Sequence, residues 1–445
     1  MKNKKLVVIG LDCADPKLVF EEFIDELPTI KKIAEDGSYG PLESTIPPIT
    51  VPAWMSMMTG KDPGTLGFYG FRNRKDYSYD SVFFANSRLV KEKTVWDKLG
   101  EKGLKSIVLG VPLTYPPKSI NGYLVTSFLT PSTKSEYTYP KSLKKEIENW
   151  VGEYMFDVEN FRSNDKERLL KDLYIMEEKR FTVAKHLLTE KEWDFFMMVI
   201  MGTDRLHHAF WAHYDKTHFK HDPNSKFVNA IKDYYKFIDE KIEELISTLP
   251  ENTEILIVSD HGVKKMEGGI AINDWLIEKG YLALKEKPEK PTRIGKLISE
   301  DKIDWSKTKA WGMGGYYGRI FLNVKGREPN GIIPKEKYEE VRNQLIKDLS
   351  EITDENGNNI GTVSFKPEEV YEKTNNIAPD LIVYFGNLDW RSMGTVGNET
   401  IWLHENDTGP DDANHAQHGM ILSTLKNVPK KITDVHKFIL NFYNL

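Results

Sequence analysis

Five short stretches of this chain carry residues able to bind a divalent cation or attack an ester. Asp12 ends the apolar run of VVIGLDCAD, where a carboxylate can reach a metal or cap the helix that Pro16 helps to start. Thr50 follows a Pro-rich turn in IPPITVPAWMSMMTG and opens a helical run that closes at Gly60. A hydroxyl at a helix N-terminus lies in a positive field beside free N–H groups. That suits a nucleophile attacking phosphorus, and it equally suits an ordinary N-cap. In VIMGTDRLHHAFW, Asp204 and His208 are four apart and share one face if the stretch is helical. A carboxylate and an imidazole so placed can ligate zinc or a harder cation, while His207 is the rival with the poorer spacing. Asp260 and His261 close the apolar run of ILIVSDHGVKK, and Gly262 lets the backbone turn. NDTGPDDANHAQHGMIL offers Asp411, Asp412, His415 and His418 in a polar, turn-rich stretch.

Each piece alone has an ordinary structural explanation. Together they supply carboxylates and imidazoles for two divalent cations flanking a hydroxyl nucleophile. Two such ions about 4 Å apart polarise a phosphoryl oxygen, activate the hydroxyl and stabilise the leaving oxygen.

These residues need a scaffold that gathers strand ends. Four apolar runs, Lys5–Leu11 and residues 106–111, 195–201 and 254–259, alternate with helical patterns. The alternation predicts an α/β fold with a central, mostly parallel sheet flanked by helices, and a fifth strand is expected at 380–385. In such sheets ligands collect beyond the carboxyl ends of the strands, where Asp12, Asp204, Asp260 and His261 fall. Residues 130–192 and 285–360 interrupt the alternation. The division expected is therefore core at 1–129, a helical insertion or cap at 130–192, core at 193–284, an inserted subdomain at 285–360, and completion of the core at 361–445.

Composition narrows the classes. Among 445 residues, 61 Lys+Arg stand against 67 Asp+Glu, which excludes a broad basic footprint for nucleic acid. A single cysteine excludes an internal disulfide and a cysteine-based zinc cluster. No apolar run approaches the ~20 residues of a membrane span, and the N-terminus lacks the apolar region of a secretory signal. A cytoplasmic protein is expected.

The order of the motifs resembles the alkaline phosphatase superfamily, and within it the type I phosphodiesterase/nucleotide pyrophosphatase branch with its phosphohydrolase and phosphomutase relatives. The resemblance spans nearly the whole chain. It rests on VVIGLDCADP, TVPAWMSMMTGKDPGTLGFYGF, TDRLHHAFW, SDHG, APDLIVYF and NDTGPDDANHAQHG. It implies an alkaline-phosphatase-like fold in which Asp12, Asp260 and His261 hold one ion, with Thr50 as its partner and covalent nucleophile. Asp204, His208 and a late histidine would hold the other. His415 is chosen because it precedes Gly419 and an apolar strand, with His418 as the rival or a substrate-lining residue. Asn73 lies near the branch's phosphate-binding Asn. The implied cofactors are two divalent ions, zinc first and manganese second. The implied reaction is cleavage of a phosphodiester or pyrophosphate in a small phosphate ester or nucleotide, through a phospho-threonine. A phosphomonoesterase or phosphomutase on the same two ions is the alternative, and a non-catalytic binding protein is a third.

Departures from the pattern mark what to look for. Cys13 stands where many relatives have a small residue such as Gly. The arginine that clamps a terminal phosphate in phosphomonoesterases has only Arg72, Arg205 and Arg319 as candidates. The segment from Thr50 to Trp54 lacks the Cys or Ser and the Arg of the sulfatase motif. Tyr316 and Tyr317, flanked by glycines, are the aromatics expected to be exposed.

Overall fold

A computed structural model describes residues 4–445. The chain forms two compact units: the first holds the chain up to Leu66, Ala85–Val263 and His415–Leu445, and the second holds Gly67–Phe84 and Lys264–Asn414.

The first unit is built on an eight-stranded sheet. Its strands are β1 (Lys5–Leu11), β2 (Ser38–Glu43), β3 (Ser106–Leu109), β4 (Gly122–Val125), β5 (Thr138–Tyr139), β6 (Phe195–Ile200), β7 (Thr253–Val258) and, much later, β12 (His418–Ser423). They lie in the order β2-β12-β7-β1-β6-β3-β4-β5. The five central strands from β7 to β4 are mutually parallel. β12 and β5 run antiparallel to their inner neighbours. Every residue of β6, FFMMVI, is buried, and β1 is buried from Leu6 onward. That pattern explains why these strands read as continuous apolar runs: both faces of a parallel sheet are covered. Residues 130–192 contribute the edge strand β5, the helix Leu143–Val151 and the long α2 (Lys166–Glu190), all within this unit. α2 packs with α3 (Gly202–Tyr214) and α4 (Ala230–Ile246), which follow β6.

Topology decides where the candidate residues meet. β7, β1 and β6 are neighbours at the centre of the sheet, so the loops at their carboxyl ends adjoin. β12 runs opposite to β7, pairing Ile421 with Val258 and Ser423 with Leu256. The amino end of β12 thus lies at the same sheet edge, and a residue just before it can join residues that follow the other strands.

The second unit has its own core and a four-stranded antiparallel sheet. Its strands β8 (Ala310–Met313), β9 (Gly318–Leu322), β10 (Val363–Phe365) and β11 (Leu381–Tyr384) lie in the order β8-β9-β11-β10. The fifth strand expected from the sequence is β11, and it belongs here rather than to the parallel sheet. An apolar run such as LIVY reports burial but not the identity or direction of its partners. Tyr317 is also corrected: it is 4% exposed and its hydroxyl donates to the Tyr69 carbonyl. Among the described residues, no helix is long and apolar enough to cross a membrane.

Candidate active site

Asp12 follows β1, Asp260 and His261 follow β7, and Asp204 and His208 stand on α3 directly after β6. His415 precedes β12, and Thr50 opens α1 (Thr50–Thr59). All seven lie in the first unit, all are buried, and their polar atoms converge.

The three carboxylates share one arrangement. In each, one oxygen is engaged by the protein and the other is buried without a hydrogen-bond partner. Asp12 Oδ2 accepts the Trp54 indole N–H at 2.8 Å, leaving Oδ1. Asp260 Oδ1 accepts the Cys13 N–H at 3.2 Å, leaving Oδ2. Asp204 Oδ2 accepts from Arg205 at 2.5 Å, leaving Oδ1. The spare oxygens face imidazole nitrogens. Asp260 Oδ2 and Asp12 Oδ1 lie 3.1 and 3.8 Å from His261 Nε2. Asp204 Oδ1 lies 3.3 Å from His208 Nε2 and 3.7 Å from His415 Nε2.

The imidazoles are oriented to match. His415 Nδ1 is 2.7 Å from the Pro48 carbonyl, and His261 Nδ1 is 3.2 Å from the Gly262 carbonyl. A carbonyl only accepts, so each Nδ1 carries the proton and each Nε2 presents a lone pair, as in metal-bound histidines. His208 Nε2 and His415 Nε2 face one another at 3.2 Å, and the His261 and His415 rings stack at 3.7 Å.

Burial, reinforced by the charges of Asp260 and Asp204, pushes the Asp12 carboxyl well above its ordinary range. Burial also raises Asp260. Asp204 stays well below the usual range despite burial, because His208 and Arg205 favour its charge. Burial holds the His261 imidazole down at about 4 and His415 well below its ordinary value. The result is a buried cluster in which His261 and His415 are neutral and the carboxylates are crowded. Divalent cations relieve such crowding, since they supply the positive charge that these oxygens lack. Two groups of donors lie close enough together to hold an ion, Asp12–Asp260–His261 and Asp204–His261–His415, with His261 common to both. His208 Nε2 adjoins the second, 3.3 Å from Asp204 Oδ1 and 3.2 Å from His415 Nε2. The donors of both groups are nitrogen and oxygen only. The Cys13 thiol turns away to the Gly262 carbonyl.

Thr50 is not an N-cap. Ile49 holds that position, and Thr50 is the first helical residue. Its Oγ1 lies 3.4 Å from His261 Nε2. The helix N-terminus provides main-chain N–H groups that have no partner within the helix.

Other residues fall elsewhere. His418 is exposed at the start of β12. Asn73 is in the second unit, where its amide accepts the Tyr69 N–H at 2.7 Å and donates to the Gly70 carbonyl at 2.8 Å. Arg205 is held by Asp157 at 2.7 Å and by Asp204, which makes it a buttress of the Asp204 carboxylate. His207 sits behind the cluster, its Nε2 3.3 Å from the Tyr235 hydroxyl. Sequence reasoning missed Trp54. Its place four residues after Thr50, one helical turn along the same face, was the available signal. The Arg205–Asp157 pair spans 48 positions and left no local signal.

Comparison with known proteins supplies the wider frame. A comparison with curated proteins finds no match. Phosphonoacetate hydrolase from Sinorhizobium meliloti 1021, in complex with phosphonoacetate, aligns with a TM-score of 0.66 at 15% identity, over 98% of this chain and 95% of that one. Human ectonucleotide pyrophosphatase/phosphodiesterase 5 aligns with a TM-score of 0.55 at 13% identity, over 99% and 95%. An inactive form of the murine enzyme in complex with AMP aligns with 0.53 at 13% identity, over 100% and 96%. At such identities these structures establish a shared alkaline-phosphatase-like fold. The sequence itself matches the model for type I phosphodiesterase/nucleotide pyrophosphatase over residues 6–420. That match runs from the first strand of the sheet into the last, so the chain is a member of the type I phosphodiesterase/nucleotide pyrophosphatase family of hydrolases, in the alkaline phosphatase superfamily.

Proposed function

We propose that this protein is a two-ion phosphohydrolase that cleaves a phosphodiester or pyrophosphate bond in a small phosphate ester or nucleotide, with Thr50 as nucleophile. One observation carries the reading: the Thr50 hydroxyl lies 3.4 Å from His261 Nε2, in a buried cluster where three carboxylates each keep one oxygen without a hydrogen-bond partner. A binding protein that had merely kept the fold would not need every donor in place.

Asp12, Asp260 and His261 would hold one ion beside Thr50, and Asp204, His208 and His415 the other. When bound, the ions would polarise the phosphoryl oxygens, make the Thr50 hydroxyl a competent nucleophile and neutralise the leaving oxygen. Thr50 Oγ1 attacks phosphorus in line, the bond to the leaving oxygen breaks, and a phospho-threonine forms. Attack by water on that phosphorus returns the threonine hydroxyl and releases phosphate or a phosphomonoester. The Thr50 and Val51 main-chain N–H groups at the start of α1 would be available to the phosphoryl oxygens, and Trp54 would hold Asp12 in register throughout. For Asn73 and His418 as substrate contacts, the support is the family pattern alone. The single, buried cysteine is consistent with a reducing, cytoplasmic setting.

The test compares bis-p-nitrophenyl phosphate with p-nitrophenyl phosphate, using protein stripped of metal and reloaded with zinc or manganese. Faster diester cleavage, abolished by chelator, is expected. Thr50→Ala is expected to bind metal, stay folded and lose turnover by at least ~10³-fold. Turnover retained in that variant would remove Thr50 as nucleophile. A preference for the monoester would favour a phosphatase or phosphomutase on the same ions.

A further inference from the structure

We propose that Thr203 and Glu177 are positioning residues that clamp the start of α3 and thereby set the spacing between the two ligand sets. This inference rests on the two-ion reading above.

α3 begins inside the protein, and its N-cap Met201 provides no side-chain cap. The first N–H groups of a helix have no intrahelical partner, so a buried start must find other acceptors. Gly202 N–H donates to Glu177 Oε1 at 3.0 Å. Glu177 comes from α2, is fully buried, and accepts the Arg180 Nε–H on its other oxygen at 2.8 Å. A Cβ at Gly202 would lie 2.0 Å from the Tyr234 hydroxyl oxygen and 3.0 Å from Glu177 Oε1, so only glycine lets the helix start reach this carboxylate.

The next residue is tied to the other ligand set. Thr203 Oγ1 donates to the main-chain carbonyl of Asp12 at 2.6 Å, and Asp12 N–H donates to the Ile200 carbonyl at 3.0 Å. Thr203 immediately precedes Asp204, and one turn of the same helix carries His208. A single hydroxyl therefore links the backbone that carries Asp12 to the helix that carries Asp204 and His208. Glu177 is in neither group of candidate ligands, and the Thr203 hydroxyl is engaged by the Asp12 carbonyl. Removing the link leaves all donors in place but frees one set to shift against the other.

The test titrates Mn(II) into metal-free, full-length protein and reads free and bound Mn(II) by electron paramagnetic resonance. Wild-type protein is expected to take up two ions whose spins couple. Thr203→Val, equal in shape but without the hydroxyl, is expected to bind the first ion with unchanged affinity. Its affinity for the second should fall by about 10–100-fold, the range seen when an outer partner of a ligand is lost, with an altered spin coupling. Thr203→Ser should restore both. Glu177→Gln, which keeps an acceptor for the Gly202 N–H, should stay within about threefold of wild type, while Glu177→Met should behave as Thr203→Val does. If Glu177→Met does not fold, the Thr203 pair decides alone. Two ions bound to Thr203→Val with wild-type affinity and coupling, or both weakened equally, would overturn the clamp. Fewer than two ions on the wild-type protein would overturn the two-ion reading, and the clamp with it.

Discussion

At the scale of single residues, the site is defined by what its polar atoms lack. Burying a carboxylate oxygen without a donor costs roughly 1–3 kcal/mol or more, and a cation shared by three such oxygens would remove that cost. Asp15, three residues beyond Asp12, gives a cleaner test of burial because its own partners are known. Burial lifts its carboxyl from 3.8 to about 6, although main-chain N–H groups, that of Lys17 among them, oppose the shift. Between those values the folded protein keeps a proton that the unfolded chain releases. This contribution is therefore favourable at low pH, is lost as pH rises through about 6, and is flat above it. Asp15→Asn should remove that slope. We expect the variant to exceed wild type in unfolding free energy by about 3 kcal/mol at pH 7–8, with the gain gone below pH 4. Equal pH dependence of urea unfolding in both proteins would refute it. Residue types and strand-end positions made the gathering of Asp12, Asp204, His208, Asp260, His261 and His415 legible from sequence, and the structure brings their side chains together. Their outer partners were not legible. Pro48 and Arg205 act through main-chain or long-range contacts that no motif encodes.

At the scale of elements, the helix that Thr50 opens and the first strand are coupled by one side chain. Trp54 of α1 is fully buried and donates to Asp12 just past β1. It reaches that position because β1 carries Gly10, where a Cβ would lie 2.4 Å from Trp54 Cη2 and 2.9 Å from Val199 Cγ2. Cys13 bends the chain after Asp12 with φ 63°, a left-handed conformation that favours glycine. Trp54→Phe keeps the ring packing and removes only the N–H. It should cost about 1–2 kcal/mol of stability and lower kcat/KM by about 10–100-fold, by leaving Asp12 free to turn. Added metal should recover part of the activity. Wild-type kcat/KM in the variant would show that Asp12 is held by the ligand set alone. The central strands were legible because burial on both faces writes a continuous apolar run. β11 was misassigned for the same reason: LIVY is buried in an antiparallel sheet, and burial carries no direction.

At the scale of the whole molecule, chemistry and mass are unevenly divided. Among the described residues, the candidate ligand groups all lie in the first unit. The second unit carries a separate core around Trp311, Phe321 and Leu345. Interleaving hid this division in the sequence. The chain enters the second unit twice, at Gly67–Phe84 and Lys264–Asn414, and a linear reading sees only inserted stretches. A ligand that binds only the folded form stabilises it by about 2.7 kcal/mol when present at a hundred times its dissociation constant. Two ions held by first-unit residues should therefore slow the global opening of that unit and leave the other unit's own opening unchanged. Hydrogen exchange resolves the two. Peptides from β1, β6 and β7 should gain protection of about a hundredfold or more on reloading with zinc or manganese. Those from β8, β9 and β11 should exchange as they do in chelator. No gain in either unit would mean that the carboxylate and imidazole cluster holds no ion. Equal gain in both would mean that the two cores open as one cooperative body, and would make the metal centre a stabiliser of the entire chain.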